Sequence, residues 1–291
     1  MATIPFDKRE GTIWFDGEFL DWQDAKVHVL THGLHYASGV FEGVRAYDGK
    51  IFRLAEHTAR LFKSAEILDM TLNYTQDDIN EICKEILIKN NIKDGYIRPF
   101  AWRGSEMMQI SAQNTTIHTM IAAWQWPSYF SPEAKMKGLR MGLSPWRRPA
   151  PDTAPTDSKA AGLYMICSLS KHHVERKGYD DALLLDYRGY VAEATGANIF
   201  FLMDDGCLHT PIADCFLDGI TRKTVIQLAK DAGYKVIERH IQLEELHHAK
   251  EAFLTGTAVE VTPIQSIEDF TFTPGDCCQD MIRLYDEEVH K

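Results

Sequence analysis

Apolar and polar positions in this chain repeat with two periods, and the switches between them mark out its elements. Over residues 54–68, Leu54, Leu61, Phe62, Ala65 and Leu68 fall on one stripe of a helical period, which predicts a helix with that stripe inward. A second helix is predicted from Thr75, whose hydroxyl can cap free N–H groups ahead of Asp77 and Asp78. It would bury Ile79, Ile82, Cys83, Ile86 and Leu87. Residues 13–19 read as a hairpin with Asp16-Gly17 at its turn, and residues 95–102 and 115–126 read as strands. These elements predict a small α/β domain over 1–128. The prolines and polar spacing after Trp126 predict a linker over 129–136.

The remainder, 137–291, reads as a larger, strand-rich domain with helices on its outside. Residues 138–144 suit a strand, and 162–177 suit a helix stopped by Gly178. Strands over 181–186, 190–193, 198–202 and 207–210 follow, joined by tight turns. A helix runs from Gly219 to Gly233. Residues 252–255 and 259–262 then flank a Gly256-Thr257-Ala258 turn.

Composition narrows the class. The formal charge of -11 over 291 residues argues against a nucleic-acid or anionic-membrane surface, because either needs a basic face. An anionic ligand must then be met locally by placed arginines. The first ten residues lack the apolar core of a signal peptide, and no apolar run approaches the ~20 residues of a membrane span. Cys83, Cys167, Cys207, Cys215, Cys277 and Cys278 show no C-x-x-C spacing, which predicts a reducing, cytoplasmic setting without a metal site. His32 and His35, three apart without a carboxylate nearby, suit structural roles.

Four segments carry chemistry. Lys159 follows three prolines in seven residues (Pro149, Pro151, Pro155) and precedes Ala160-Ala161-Gly162. That is either a solvated lysine in a stiff loop or one with a rigid approach and room for a covalent partner. At a helix N-terminus its neutral amine would be favoured. Glu193 ends one apolar strand just before another resumes at Asn198, so it either faces water or holds a proton on a ring nitrogen. Leu217-Asp218-Gly219-Ile220-Thr221-Arg222 is either ordinary capping or a single-phosphate cradle. Thr255-Gly256-Thr257-Ala258 is a hairpin turn or a site of backbone approach by a ligand.

In their order and company these segments resemble those of the branched-chain aminotransferases. These are pyridoxal-phosphate (PLP) enzymes of the class that includes D-amino-acid aminotransferase and aminodeoxychorismate lyase. The likeness runs from Ile13-Trp14-Phe15 to Thr262-Pro263 and includes His32-Gly33-Leu34-His35-Tyr36, Val40-Phe41-Glu42-Gly43 and Tyr96-Ile97-Arg98-Pro99. It implies the two-domain α+β fold type IV, with a small open α/β domain and a larger pseudo-barrel domain. It further implies transfer of the amino group of leucine, isoleucine or valine to 2-oxoglutarate.

By the family pattern Lys159 would hold PLP as an internal Schiff base and then carry the proton, and Glu193 would pair with the pyridine nitrogen. Tyr164 would bond the ring's phenolic oxygen, and Leu217 would pack on one ring face. Arg60, Ile220, Thr221 and Thr257 would hold the phosphate. The amides of Thr257 and Ala258 would bind the substrate α-carboxylate. Tyr36, Phe41, Ile110, Tyr129 and Tyr164 would line the side-chain pocket, with Arg98 beside Tyr96 binding glutamate's second carboxylate. A homodimer or a trimer of dimers is implied. Two departures stand out: Ala197, where the family often has glutamate, and the loop 102–109 in place of a glycine-rich one. A D-amino-acid enzyme on the same scaffold and a non-enzymatic anion binder are the competing readings; the latter has no use for Lys159 or Glu193. Borohydride should therefore fix a permanent adduct on Lys159 of a yellow preparation. A colourless preparation that takes up no PLP would favour plain anion binding.

Overall fold

The first strand pair is set by its turn. Asp16 and Gly17 take φ of 47° and 101°, as a two-residue turn matched to strand twist requires. It joins β1 (Thr12–Phe15) to β2 (Glu18–Asp21) in antiparallel register, Thr12 opposite Asp21. The computed structural model describes residues 4–126 and 136–291. Residues 127–135, including Tyr129 and all but the last position of the expected linker, lie outside the described residues.

The described residues divide into two compact units. The first continues with α1 (His32–Tyr36), β3 (Gly39–Phe41), β4 (Val44–Tyr47), β5 (Lys50–Ile51), α2 (Leu54–Ile67), α3 (Gln76–Lys89), β6 (Gly95–Arg103) and β7 (Ile117–Gln125). Its sheet has the order β2-β1-β7-β6-β4-β5, with β3 also on β6. Thr75 caps α3 as expected: its hydroxyl accepts from the Asp78 N–H while the Asp78 carboxylate accepts from the Thr75 N–H. Leu61 and Ala65 of α2 and Ile79, Cys83 and Ile86 of α3 pack with Val40, Val44, Ile97 and Ile121 of the sheet. The same buried side of α2 also carries His57, Thr58 and Ser64, which an apolar pattern does not mark.

The second unit comprises β8 (Leu139–Arg148), α4 (Tyr164–Glu175), β9 (Asp181–Asp186), β10 (Val191–Ala194), β11 (Asn198–Met203), β12 (Leu208–Pro211), α5 (Ile220–Asp231), β13 (Val236–Arg239), β14 (Ala249–Gly256), β15 (Glu260–Ile267), β16 (Phe270–Thr271) and α6 (Asp276–Val289). The strand order is β10-β9-β8-β15-β14-β11-β12-β13, with β16 on β15. Pairs β8–β9, β8–β15 and β12–β13 are parallel and the rest antiparallel. Met141, Leu183, Ile199, Phe201, Leu254 and Ile264 form its core. Helix α6 is not anticipated from the sequence. It buries Cys277, Cys278, Met281, Tyr285 and Val289, and its first N–H groups bond the buried Glu251 carboxylate.

Two expectations change. The segment Ser158–Gly162, expected within the second domain, packs with the first unit. The Phe41 N–H donates to the Lys159 carbonyl, and Val40 bridges Ala160. Nor does Lys159 open a helix: a 3-10 turn (Ala161–Leu163) intervenes before α4, so the helix dipole invoked for its amine begins beyond it.

Among the described residues no helix is long and apolar enough to cross a membrane. All six cysteines are buried and free. Burial pushes the thiols of Cys83, Cys215 and Cys277 up to about 12 and that of Cys167 up to about 11. Titration with a disulfide-exchange reagent should accordingly find native protein almost unreactive, with the thiols appearing together on unfolding in denaturant. Rapid reaction of a native thiol would contradict this packing.

Candidate active site

Lys159 is fastened through its backbone. Its N–H donates to Ser64 Oγ of α2 at 2.9 Å, and its carbonyl accepts from Phe41 at 3.2 Å. Those contacts leave the amine on a stem whose base cannot shift. Lys159 Nζ lies 5.0 Å from the Phe41 ring centroid, and the Arg98 guanidinium lies 4.6 Å from the same centroid. Arg98 Nη2 also donates to the Tyr96 hydroxyl at 3.4 Å, while its Nε is buried without a partner. Tyr96 itself stacks on Trp124. The first unit thus brings Lys159, Phe41, Tyr96 and Arg98 together.

Arg60 has a partner that the sequence shows without a role. Glu42, fully buried, accepts from Arg60 Nε at 2.6 Å and from Nη2 at 2.9 Å. It also bonds His57 Nδ1 at 2.7 Å. Burial by itself would raise the Glu42 pKa. The Arg60 and His57 charges and hydrogen bonds outweigh it and hold the carboxyl well below the usual carboxylate range. Burial lowers the His57 pKa, against the opposing pull of the Glu42 carboxylate beside it. The available signals were a charge inside the apolar run 40–44 and the placement of His57, Arg60 and Ser64 at helical spacing.

The second unit assembles the rest. Glu193 is buried on β10, where the pairing register with β9 shifts between Val191 and Glu193, a bulge of the sort that re-aims a side chain. Arg148 Nε forms an ion pair with its Oε1 at 3.3 Å, and Asn198 Nδ2 donates to its Oε2, also at 3.3 Å. Asn198 also bonds the segment 217–219. Gly219 is the N-cap of α5 and has no side-chain cap bond, which leaves Ile220 and the buried Thr221 in the free first turn. Across the sheet, Asn198 of β11 pairs with Thr255 of β14, whose buried Oγ1 has no partner. A Cβ built on Gly256 would meet Ala197 Cβ and the Gly196 carbonyl, both at 3.3 Å. The turn bearing Thr257 and Ala258 therefore lies against residues 196–197, and the small Ala197 fits there.

Other candidates stand apart. Tyr36 is 43% exposed and Ile110 83% exposed in the first unit. His32 bonds Ser38 Oγ and the Gln109 carbonyl, and Arg103 bonds the Ala112 carbonyl; together they pin the loop that carries Met107 and Met108. Among the described residues Asp205, Cys207 and His209 come within reach of one another, as do Asp186, Asp214 and Cys215. Arginines occupy both groups: Arg239 donates to His209 Nδ1, and Arg188 bridges Asp186 and Asp214.

Unit by unit, the donors suit a phosphorylated pyridine aldehyde. The first offers a lysine amine; the second offers a buried carboxylate for a ring N–H, a free helix N-terminus and an unpartnered buried hydroxyl for an anion. The amino-transferase class IV family model matches residues 39–267, and the chain belongs to that family. The chain is an aminotransferase. Its likeness extends to the branched-chain members. It is 47% identical over 268 residues to the probable branched-chain-amino-acid aminotransferase of Rickettsia conorii, covering 92% of this chain and 91% of that one. With the branched-chain-amino-acid aminotransferase of Pseudomonas aeruginosa it shares 45% identity, covering 89% and 86%. Among solved structures the T.th. branched-chain amino acid aminotransferase with pyridoxamine 5'-phosphate superposes with a TM-score of 0.93 at 38% identity, covering 97% of this chain and 94% of that one. That enzyme has also been solved with N-(5'-phosphopyridoxyl)-L-glutamate and with 4-methylvaleric acid. The fold is the fold type IV expected from the sequence.

The Glu42 cluster has a pH consequence. A carboxyl whose folded pKa lies below its unfolded value stabilises the fold above the unfolded pKa, and that contribution is lost as pH falls. Glu42→Gln should therefore unfold earlier than wild type near neutral pH, and the gap between their thermal midpoints should narrow as pH drops below the ordinary carboxylate range. A gap that stays constant with pH would show that the charge on Glu42 does not matter.

Proposed function

We propose that this protein is a PLP-dependent branched-chain aminotransferase. It transfers the amino group of L-leucine, L-isoleucine or L-valine to 2-oxoglutarate, giving the branched 2-oxo acid and L-glutamate in a ping-pong cycle. The observation that carries the reading is Arg98, laid on the Phe41 and Tyr96 rings with a buried, unused Nε–H. An enzyme of this kind accepts an apolar branch in one half-reaction and a carboxylate in the other. A guanidinium set among aromatic faces serves both, because it can bond a carboxylate while the walls stay apolar. The T.th. enzyme, solved with both a phosphopyridoxyl-glutamate and 4-methylvaleric acid, supports this pairing.

Bound PLP supplies an aldehyde for the amino group and a ring that withdraws electrons from the substrate α-carbon. Everything else falls to the chain. Lys159 Nζ would hold the aldehyde and would take and return the substrate α-proton. Its backbone bonds to Ser64 and Phe41 fix the base of that side chain. Glu193 holds the proton on the ring nitrogen, with Arg148 and Asn198 fixing its carboxylate. Ile220, Thr221, Thr257 and Arg60 hold the phosphate, and the Glu42 clamp limits the rotamers of Arg60. Tyr164 bonds the phenolic oxygen, and Leu217 covers a ring face. The amides of Thr257 and Ala258 bind the α-carboxylate, and Phe41 lines the side-chain pocket. We assign the working form to a cytoplasmic homodimer or trimer of dimers, and the six free cysteines suit a reducing compartment.

Half-reaction rates with single L- and D-amino acids, followed by cofactor absorbance, test the assignment. Leucine, isoleucine, valine and glutamate should react and D-alanine should not. For Arg98→Leu, kcat/KM for glutamate should fall about tenfold to a hundredfold, the worth of a hydrogen bond to a charged group, with leucine much less affected. Turnover of D-alanine but not L-leucine, or equal losses for leucine and glutamate, would overturn it.

A further inference from the structure

Asn198 opens β11, is 5% exposed, and has no part in the assignments above beyond touching Glu193. Its side chain spends both N–H donors and one acceptor direction on two separate segments. Nδ2 donates to Glu193 Oε2 at 3.3 Å and to the Leu217 carbonyl at 3.0 Å. Oδ1 accepts from the Gly219 N–H at 3.1 Å. An amide is suited to this position because it combines two donors with an acceptor on one planar group. Aspartate would set a like charge against Glu193 and leave the Leu217 carbonyl without a proton. An apolar isostere would orphan the Gly219 N–H as well. The partner segment is shaped to receive the amide: a Cβ at Gly219 would stand 2.2 Å from Oδ1. Since Gly219 is also the N-cap of α5, Asn198 ties the carboxylate on β10 directly to the free end of that helix.

We propose that Asn198 is a positioning residue that fixes the spacing between Glu193 and the N-terminus of α5, so that the two ends of PLP, ring nitrogen and phosphate, are met at once. The inference rests on the cofactor reading above. PLP spans that gap with a rigid ring and one short phosphate ester arm, so affinity depends on the two receptors being held in advance within the narrow range of spacings it can reach. Each end alone can still be bound when the tie is cut; what is lost is their cooperation.

The experiment measures binding of three probes to apo-protein by fluorescence: PLP, pyridoxal (ring end alone) and inorganic phosphate (helix end alone). For Asn198→Ala, PLP affinity should fall by about tenfold to a hundredfold. Pyridoxal and phosphate should each lose only about threefold or less, as expected when the defect is in coupling. Gly219→Ala, which displaces the amide without altering it, should reproduce that pattern and provides a second variant should Asn198→Ala fold poorly. Asn198→Asp should shift the pH midpoint of the bound cofactor's visible absorbance upward, because it adds negative charge beside Glu193. The proposal alone is overturned if wild type binds PLP and both Asn198→Ala and Gly219→Ala bind it within about threefold of wild type. It is likewise overturned if all three probes weaken together, or if Asn198→Asp leaves the absorbance midpoint unmoved. Wild-type protein that takes up no PLP overturns the cofactor reading and this inference with it.

Discussion

The backbone pairing of residues 40–41 with 159–160 is the constraint on which the site depends. It takes five residues that lie in sequence between β8 and α4 of the second unit and fastens them to the first. Lysine is otherwise among the most mobile of side chains, and ordering it costs about 2 kcal/mol of rotamer entropy. The base of the chain is held by two backbone hydrogen bonds, one to a neighbouring strand and one to the hydroxyl of Ser64 on α2. The Phe41 ring that lies near the amine belongs to the strand making one of those bonds. The same ring carries Arg98. Lys159 and Arg98 therefore share a single frame.

Buried carboxylates explain how a chain with a net charge of -11 presents cationic and N–H groups to an anion. Glu42 is met by Arg60 and His57, Glu193 by Arg148 and Asn198, and Glu251 by the first amides of α6. Taking each acid out of water is costly, and each is offset by two or more donors. The arginines are thereby oriented as well as neutralised. A guanidinium held bidentately has one rotamer in which all its bonds are made, which is a better receptor for phosphate or carboxylate than a free side chain of equal charge. Arg98 reaches the same end differently, by lying on aromatic faces.

Most elements were legible because their signals are local. The Asp16-Gly17 turn, the Thr75 cap and the glycines that end α4 and α5 each act within a few residues, and the structure has them as expected. What escaped was non-local. Helix α6 begins where Glu251, far earlier in the chain, supplies the acceptor for its amides, so the segment 273–276 shows no cap of its own. The membership of Ser158–Gly162 in the first unit rests on a β-bridge to residue 40, which no window on the sequence contains. Among site residues, Lys159 and Glu193 stood out by type and setting, and Arg98 through the resemblance. Glu42, Ser64, Arg148 and Asn198 act on other residues rather than on a ligand, and their partners lie 5 to 95 positions away. Only the last of these, five residues from Glu193, was within local reach.

A crystal structure of the PLP-loaded protein tests the central claim most directly. The account predicts continuous density from Lys159 Nζ to the cofactor, with Glu193 at hydrogen-bonding distance from the ring nitrogen and the phosphate on the first turn of α5. Density showing the Lys159 side chain directed into solvent, with PLP bound elsewhere or not at all, would contradict it.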